Sequence, residues 1–86
     1  MKTQQEYNGT LEEVSKLLSE LSEDITLPKN VKIKIAKTIS VLNDEKDASI
    51  RVHKALNELG EIAEDANIQP YTRTQIWNVV SLLEKL

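Results

Sequence analysis

Four acidic side chains, Glu23, Asp24, Glu64 and Asp65, are the first candidates for chemistry in this chain. They sit in two related stretches, and if the fold brought those together the carboxylates could hold a hard cation, or two metals if histidines joined them. The residues needed to complete such a site are missing. The only histidine is His53, and no Glu-x-x-His spacing occurs. On a helical wheel Glu23 and Glu64 also fall away from the apolar positions, so they should face water. The acids therefore read as solubilising groups at two helix ends, an unfavourable place for them in the helix dipole. His53 lies on a polar flank with no Ser, Cys or Asp spaced locally to form a triad. No metal ligand set, nucleophile–base pair or glycine-rich loop stands out, so the expectation is a protein without cofactor or catalytic residues.

The basic residues are a second candidate. Residues 28–43 carry four lysines, Lys29, Lys32, Lys34 and Lys37, and no acid. The flanking segments 1–27 (two basic, six acidic) and 44–65 (three basic, seven acidic) are both acidic. Arg51, Lys54 and Arg73 would extend the basic helix into an anion or RNA contact if the fold gathered them. The lysines spread around helix two instead of forming one stripe, and the net charge is −3. Charge complementarity between neighbouring helices is the competing explanation, worth about 0–1 kcal/mol per exposed pair.

The third candidate is aromatic. The chain has only Tyr7, Tyr71 and Trp77, and two of them fall in Pro70–Trp77. Arg73 and Trp77 are four apart, so guanidinium and indole can stack. Trp77 lies about 110° from the centre of its helix's apolar stripe. Exposed arginine and tryptophan are typical interface anchors; the equal alternative is a boundary tryptophan that finishes the core under the second junction. Ile33, Val41 and Ile50 also lie off their stripes, and together with Trp77 they would mark an oligomer or partner surface.

Four helices must position these groups. Thr10 with Glu13 forms a capping box, after which Leu11, Val14, Leu17, Leu18, Leu21 and Ile25 follow at helical spacing. This predicts a polar, flexible tail over 1–9 and a first helix over 10–25, onto which Tyr7 could fold back. Leu27-Pro28 closes it and opens helix two, 28–43, with Val31, Ile35, Thr38, Ile39 and Leu42 inward. A polar turn, 43–47, leads to helix three, 48–66, capped by Asp47 or Ser49. Its face is Val52, Ala55, Leu56, Leu59, Ile62, Ala63 and Ala66. Gly60 at the edge of that face costs helix stability, which close approach by a neighbour would explain. Pro70 starts helix four, 70–85, with Ile76, Val79, Val80 and Leu83 inward.

The chain also repeats itself. Glu20, Glu23 and Asp24 recur 41 residues later as Glu61, Glu64 and Asp65, and Leu18, Ile35 and Leu42 recur as Leu59, Ile76 and Leu83. A period near 40 suits a HEAT-type unit, but two units are too few for a solenoid. The expected fold is all-α: one domain over 10–86, an antiparallel up-and-down four-helix bundle of two related helical hairpins. Hydrophobic residues are 40% and charged residues 29%, which fits a globular domain. No cysteine excludes disulfides and thiolate metal sites. No signal region or spanning apolar run occurs, so a cytoplasmic protein without membrane contact is expected.

The stretch Asn67-Ile68-Gln69-Pro70-Tyr71-Thr72-Arg73-Thr74-Gln75-Ile76-Trp77, closing with Leu83-Glu84, resembles a family of small archaeal proteins, uncharacterised protein family 0147. Asp24 through Pro28-Lys29-Asn30-Val31 looks like that family's other signature. The resemblance covers about residues 10–84. It implies an all-helical four-helix domain of archaeal cytoplasmic origin, and brings no assigned activity. Position 71 is tyrosine where the family pattern leads one to expect an imidazole in many relatives.

The leading functional expectation is thus a non-enzymatic protein-interaction or scaffolding module. It would use the surface around Pro70–Trp77, with Tyr71, Arg73 and Trp77 as partner-binding residues. The alternative is RNA or ribonucleoprotein association through helix two with Arg51, Lys54 and Arg73. A small enzyme is the third.

Overall fold

Residues 4–44 and 47–86 are described in a computed structural model of the chain, with side chains from Asn8 onward. They are all-helical: α1 Gln4–Ser22, α2 Lys29–Leu42, α3 Ala48–Ala63 and α4 Pro70–Glu84. No strand occurs among them. Each helix packs on the next, and α1 also packs on α4, which closes the ring. Inside it lies one continuous aliphatic core, with Val14, Leu18, Ile35, Leu59, Ile62 and Ile76 fully enclosed. Burial of each Leu or Ile contributes about 1.5–3 kcal/mol. With no phenylalanine in the chain, this aliphatic burial is the main cohesive term.

Helix one differs from expectation at both ends. It starts by Gln4, so Thr10 is an interior residue and the capping box does not mark a helix start. A cap needs an extended backbone at Thr10. Gln4, Gln5 and Glu6 are good helix formers, and each residue added to an existing helix gains a hydrogen bond. Residues 1–3 of the expected tail and the Tyr7 side chain lie outside the described residues, as do Glu45 and Lys46 of the expected turn.

At its other end α1 stops at Ser22 rather than Ile25. Ile25, expected in the core, is 90% exposed. Asp24 causes the stop. Its Oδ1 accepts the Thr26 N–H at 2.8 Å and the Thr26 hydroxyl at 2.7 Å. This local turn competes with helix continuation. Ile25 is left outside the corner, and Leu27 is buried in its place.

The same happens after α3, which ends at Ala63 rather than 66 and leaves Ala66 exposed. Asp65 Oδ1 accepts the Asn67 N–H at 2.8 Å, and Ile68 is buried. The Asp24 and Asp65 N–H groups each donate 3.1 Å to the carbonyl three residues back, Leu21 and Ile62. The later position of the second proline also has a structural counterpart: Pro28 is the N-cap of α2, whereas Pro70 is the first residue of α4. Between α2 and α3, Asp47 is the cap, accepting the Ser49 N–H at 2.9 Å.

Gly60 does not admit a close neighbour. A Cβ added there would meet nothing within 4 Å, and its φ is not positive. Gly60→Ala should therefore stabilise the fold by about 0.5–1 kcal/mol through the lost freedom of the unfolded chain. The midpoint of thermal unfolding should rise by roughly 2–8 °C, which circular dichroism would measure.

Candidate functional site

The two acidic corners meet at one end of the molecule. Asn30, just after the first corner, donates through Nδ2 to Asp65 Oδ2 in the second at 3.2 Å. Tyr71, just after the second, lines the same groove as Asp24 of the first. Glu23 and Glu64 are exposed there. Among the described residues, no group of three or more acids or histidines stands close enough to hold a metal ion.

Asp24 is tuned by its turn. Hydrogen bonds from the Thr26 hydroxyl and N–H hold its carboxyl below the usual aspartate value of 3.8, and the Lys32 charge adds to them. A carboxyl depressed in the folded state contributes stability above its unfolded pKa, and that contribution is lost as pH falls through the folded value. The carboxyl resonance of Asp24 should titrate below the ordinary aspartate range. Thr26→Val, which removes the larger of the two hydrogen bonds, should move it back up. An unchanged Asp24 titration in that variant would refute the assignment.

The groove at this end runs between the C-terminal end of α1 with its following corner and the stretch 71–79 of α4, with a volume of about 360 Å³. Leu17, Leu21 and Val79 supply its apolar lining, and Tyr71 and Gln75 line it from α4. Glu20, Glu23 and Asp24 supply its charge; among the described residues no Lys, Arg or His lines it. Leu17, Glu20 and Leu21 are spaced i, i+3 and i+4, which puts them along one stripe of α1, and Asp24 follows in its corner. Tyr71 is 70% exposed.

The three residues expected to form one partner surface are divided by the fold. Tyr71 faces the α1 groove. Arg73 turns to α3: its Nε donates to the Ala63 carbonyl and one terminal nitrogen to the Asp65 carbonyl, both at 2.9 Å. The guanidinium thus caps the C-terminal end of α3. Trp77, 49% exposed, shares the Arg73 flank, about 120° around the helix from Tyr71. Ile33 and Ile50 are exposed too, but on α2 and α3. Since α2 packs mainly on α1 and α3, Ile33 does not extend the α4 surface.

The basic residues are similarly dispersed. Arg51 donates to the Leu42 carbonyl at 3.1 Å, closing the end of α2. Lys37 pairs with Glu58 of α3 at 3.2 Å, so at this point the basic and acidic helices do complement each other. Lys37 and Lys54 line a second groove of about 320 Å³ with Val41, Asn57 and Glu58. Lys29 is exposed, and Lys32 and Lys34 are half-buried. His53 is exposed and lines a third groove, of about 280 Å³, with Leu56 and Glu84.

The contribution of α1 to the Tyr71 groove is not evident from α4 alone. Leu17 and Leu21 read as core positions, yet both are only partly buried. The available signal is the three carboxylates interleaved with them, at positions where the helix dipole does not favour acids.

A model of the family described as "Uncharacterised protein family (UPF0147)" matches residues 1–86. Among curated relatives, a UPF0147 protein of Thermoplasma acidophilum is 39% identical over 75 residues, 86% of this chain and 85% of the relative. One from Methanocaldococcus jannaschii is 36% identical over 77 residues, 88% of this chain and 83% of the relative. The crystal structure of a protein from uncharacterized family UPF0147 from Thermoplasma acidophilum matches with a TM-score of 0.85 at 35% identity, covering 92% of this chain and 94% of that one. The crystal structure of unknown function protein MMP1188 matches with a TM-score of 0.84 at 37% identity, covering 90% of this chain and 89% of that one.

Proposed function

This chain belongs to the uncharacterised protein family UPF0147, and from its own surface we propose that it is a non-enzymatic interaction module that seats a protein partner in the α1/α4 groove. One observation carries the reading: an apolar-lined groove bears a large aromatic, Tyr71, that is 70% exposed. Burying a tyrosine against a partner gains apolar area at little conformational cost, which makes it an effective anchor. The surface is the Tyr71 and Gln75 side of α4 joined to α1, rather than the Arg73 and Trp77 side. The alternative, RNA contact through the lysines of α2 with Lys54, is supported less, because the guanidiniums of Arg51 and Arg73 are engaged by backbone carbonyls.

Two further elements complete the proposal. The chain acts in the cytoplasm; among the described residues no helix is long and apolar enough to cross a membrane. Its halves are two copies of one antiparallel helical hairpin, a reading supported by the matching Asp24 and Asp65 corner bonds.

Affinity capture from lysate of the source organism tests the function. Tyr71→Ala and Gln75→Ala should both lose the same partner, while Trp77→Ala and Ile33→Ala keep it. All four should match the unsubstituted protein in circular dichroism. If all four retain the same proteins, the groove is not the partner site.

A further inference from the structure

We infer that the α1/α4 groove receives a basic amphipathic helix from its partner protein. This rests on the proposal that the groove is the partner site, and it names the chemistry of the occupant. The groove lies between two packed helices, so its long direction follows their axes, the shape into which a third helix fits. From Leu17 to Leu21 it follows α1 for about 6 Å, a little over one helical turn, and then passes onto the Glu23–Asp24 corner. Its apolar lining calls for aliphatic side chains facing inward. Glu20, Glu23 and Asp24, with no basic residue lining the groove among the described residues, call for lysines or arginines alongside them.

The placement of these carboxylates supports a binding role. α1 has no basic residue in its last turn, and Glu20 and Glu23 lie close to its negative end. Carboxylates there are unfavourable for the helix. Neither forms an ion pair within 4.0 Å among the described residues. Folding stability therefore gives no reason for them, whereas a cationic partner does. The same charges disfavour the other macromolecular surfaces: nucleic-acid phosphates and anionic lipid headgroups would both be repelled.

The chain itself contains one possible rival occupant. On the outward face of α2, Lys29, Ile33 and Lys37 follow at i, i+4 and i+8, and all three are exposed. A second copy could present this face to the groove, so the test must separate self-association from partner binding.

The probe is a fluorescent synthetic helix of about four turns, with leucine at i, i+3, i+4 and i+7 and lysine elsewhere. The control carries glutamate in place of lysine. Titration with the full chain, followed by anisotropy, should give a micromolar Kd for the lysine peptide and no saturable binding for the control. Raising salt from about 0.05 to 0.5 M should weaken binding at least tenfold as the charges are screened. The double variant Glu20→Lys with Glu23→Lys should also bind at least tenfold more weakly. It should remain folded, since both side chains are exposed and lysine suits that helix end better. Light scattering should show monomer at the titration concentrations.

Equal binding of both peptides, no effect of the charge reversal, or no binding of the lysine peptide would overturn the inference. So would a dimer that the charge reversal dissolves, since the second copy would then be the occupant. If the lysine peptide fails while Tyr71→Ala still loses its captured partner, the groove remains the partner site and only the basic-helix assignment falls. If the peptide binds but no groove variant changes the captured proteins, the proposed function falls instead.

Discussion

Arg73→Ala should destabilise the fold by about 2 kcal/mol and lower its thermal midpoint by roughly 8–16 °C. The Arg73 guanidinium donates to the carbonyls of Ala63 and Asp65, each at 2.9 Å. Hydrogen bonds from a charged donor contribute about 1.5–3 kcal/mol when buried; Arg73 is half-buried, so the pair is placed near the lower end. The cation also lies at the negative end of α3, which has no basic residue in its own last turn. Arg73→Lys keeps the charge but not the two-pronged geometry, and should recover about half of the loss. Differential scanning calorimetry of the two variants measures this. If Arg73→Ala melts with the unsubstituted protein, the guanidinium is not a structural cap. The consequence for function is direct: a lost partner in Arg73→Ala would report damage to the α3–α4 corner, so it cannot identify the binding surface.

Leu59→Ala should be more severe, at about 3 kcal/mol, or roughly 12–24 °C in midpoint. Leu59 is wholly enclosed in the core. Its truncation loses the transfer energy of the removed atoms and leaves a cavity that aliphatic neighbours can fill only in part. A domain of this length has a total stability of roughly 4–13 kcal/mol, so roughly a quarter to three-quarters of it depends on this side chain. Leu18, the residue 41 positions earlier, is equally enclosed. Leu18→Ala should therefore cost about the same in urea denaturation. A loss below about 1 kcal/mol in either variant would contradict the enclosure shown for that residue. These substitutions remove no exposed group, so any effect on partner capture should follow the fraction unfolded.

Several features were readable because they depend on neighbours along the chain. The apolar spacing of Val31, Ile35, Thr38, Ile39 and Leu42 placed the inward face of α2; four of the five are buried and Ile39 is partly buried. Pro28 and Pro70 marked helix starts correctly to within a residue. The misplaced C-terminal ends of α1 and α3 share one cause. Periodicity kept Ile25 and Ala66 within their helices, but the side chains of Asp24 and Asp65 offer the backbone a competing turn that hydropathy does not register.

The candidate site was less legible. Tyr71, Arg73 and Trp77 looked like one surface because they are close in sequence on one helix. A helix turns about 100° per residue, so positions two or six apart need not share a side, and the neighbours decide what each one meets. Packing of α3 beside α4 drew Arg73 into a capping role, and packing of α1 on the other side gave Tyr71 a groove with three carboxylates. Residue types and spacing were sufficient for the four helices and for most of the core, since those follow from local periodicity and composition. The joining of Leu17, Leu21 and Glu20 to Tyr71 required the ring of helices to close, because contacts between residues some fifty positions apart depend on which faces meet in space.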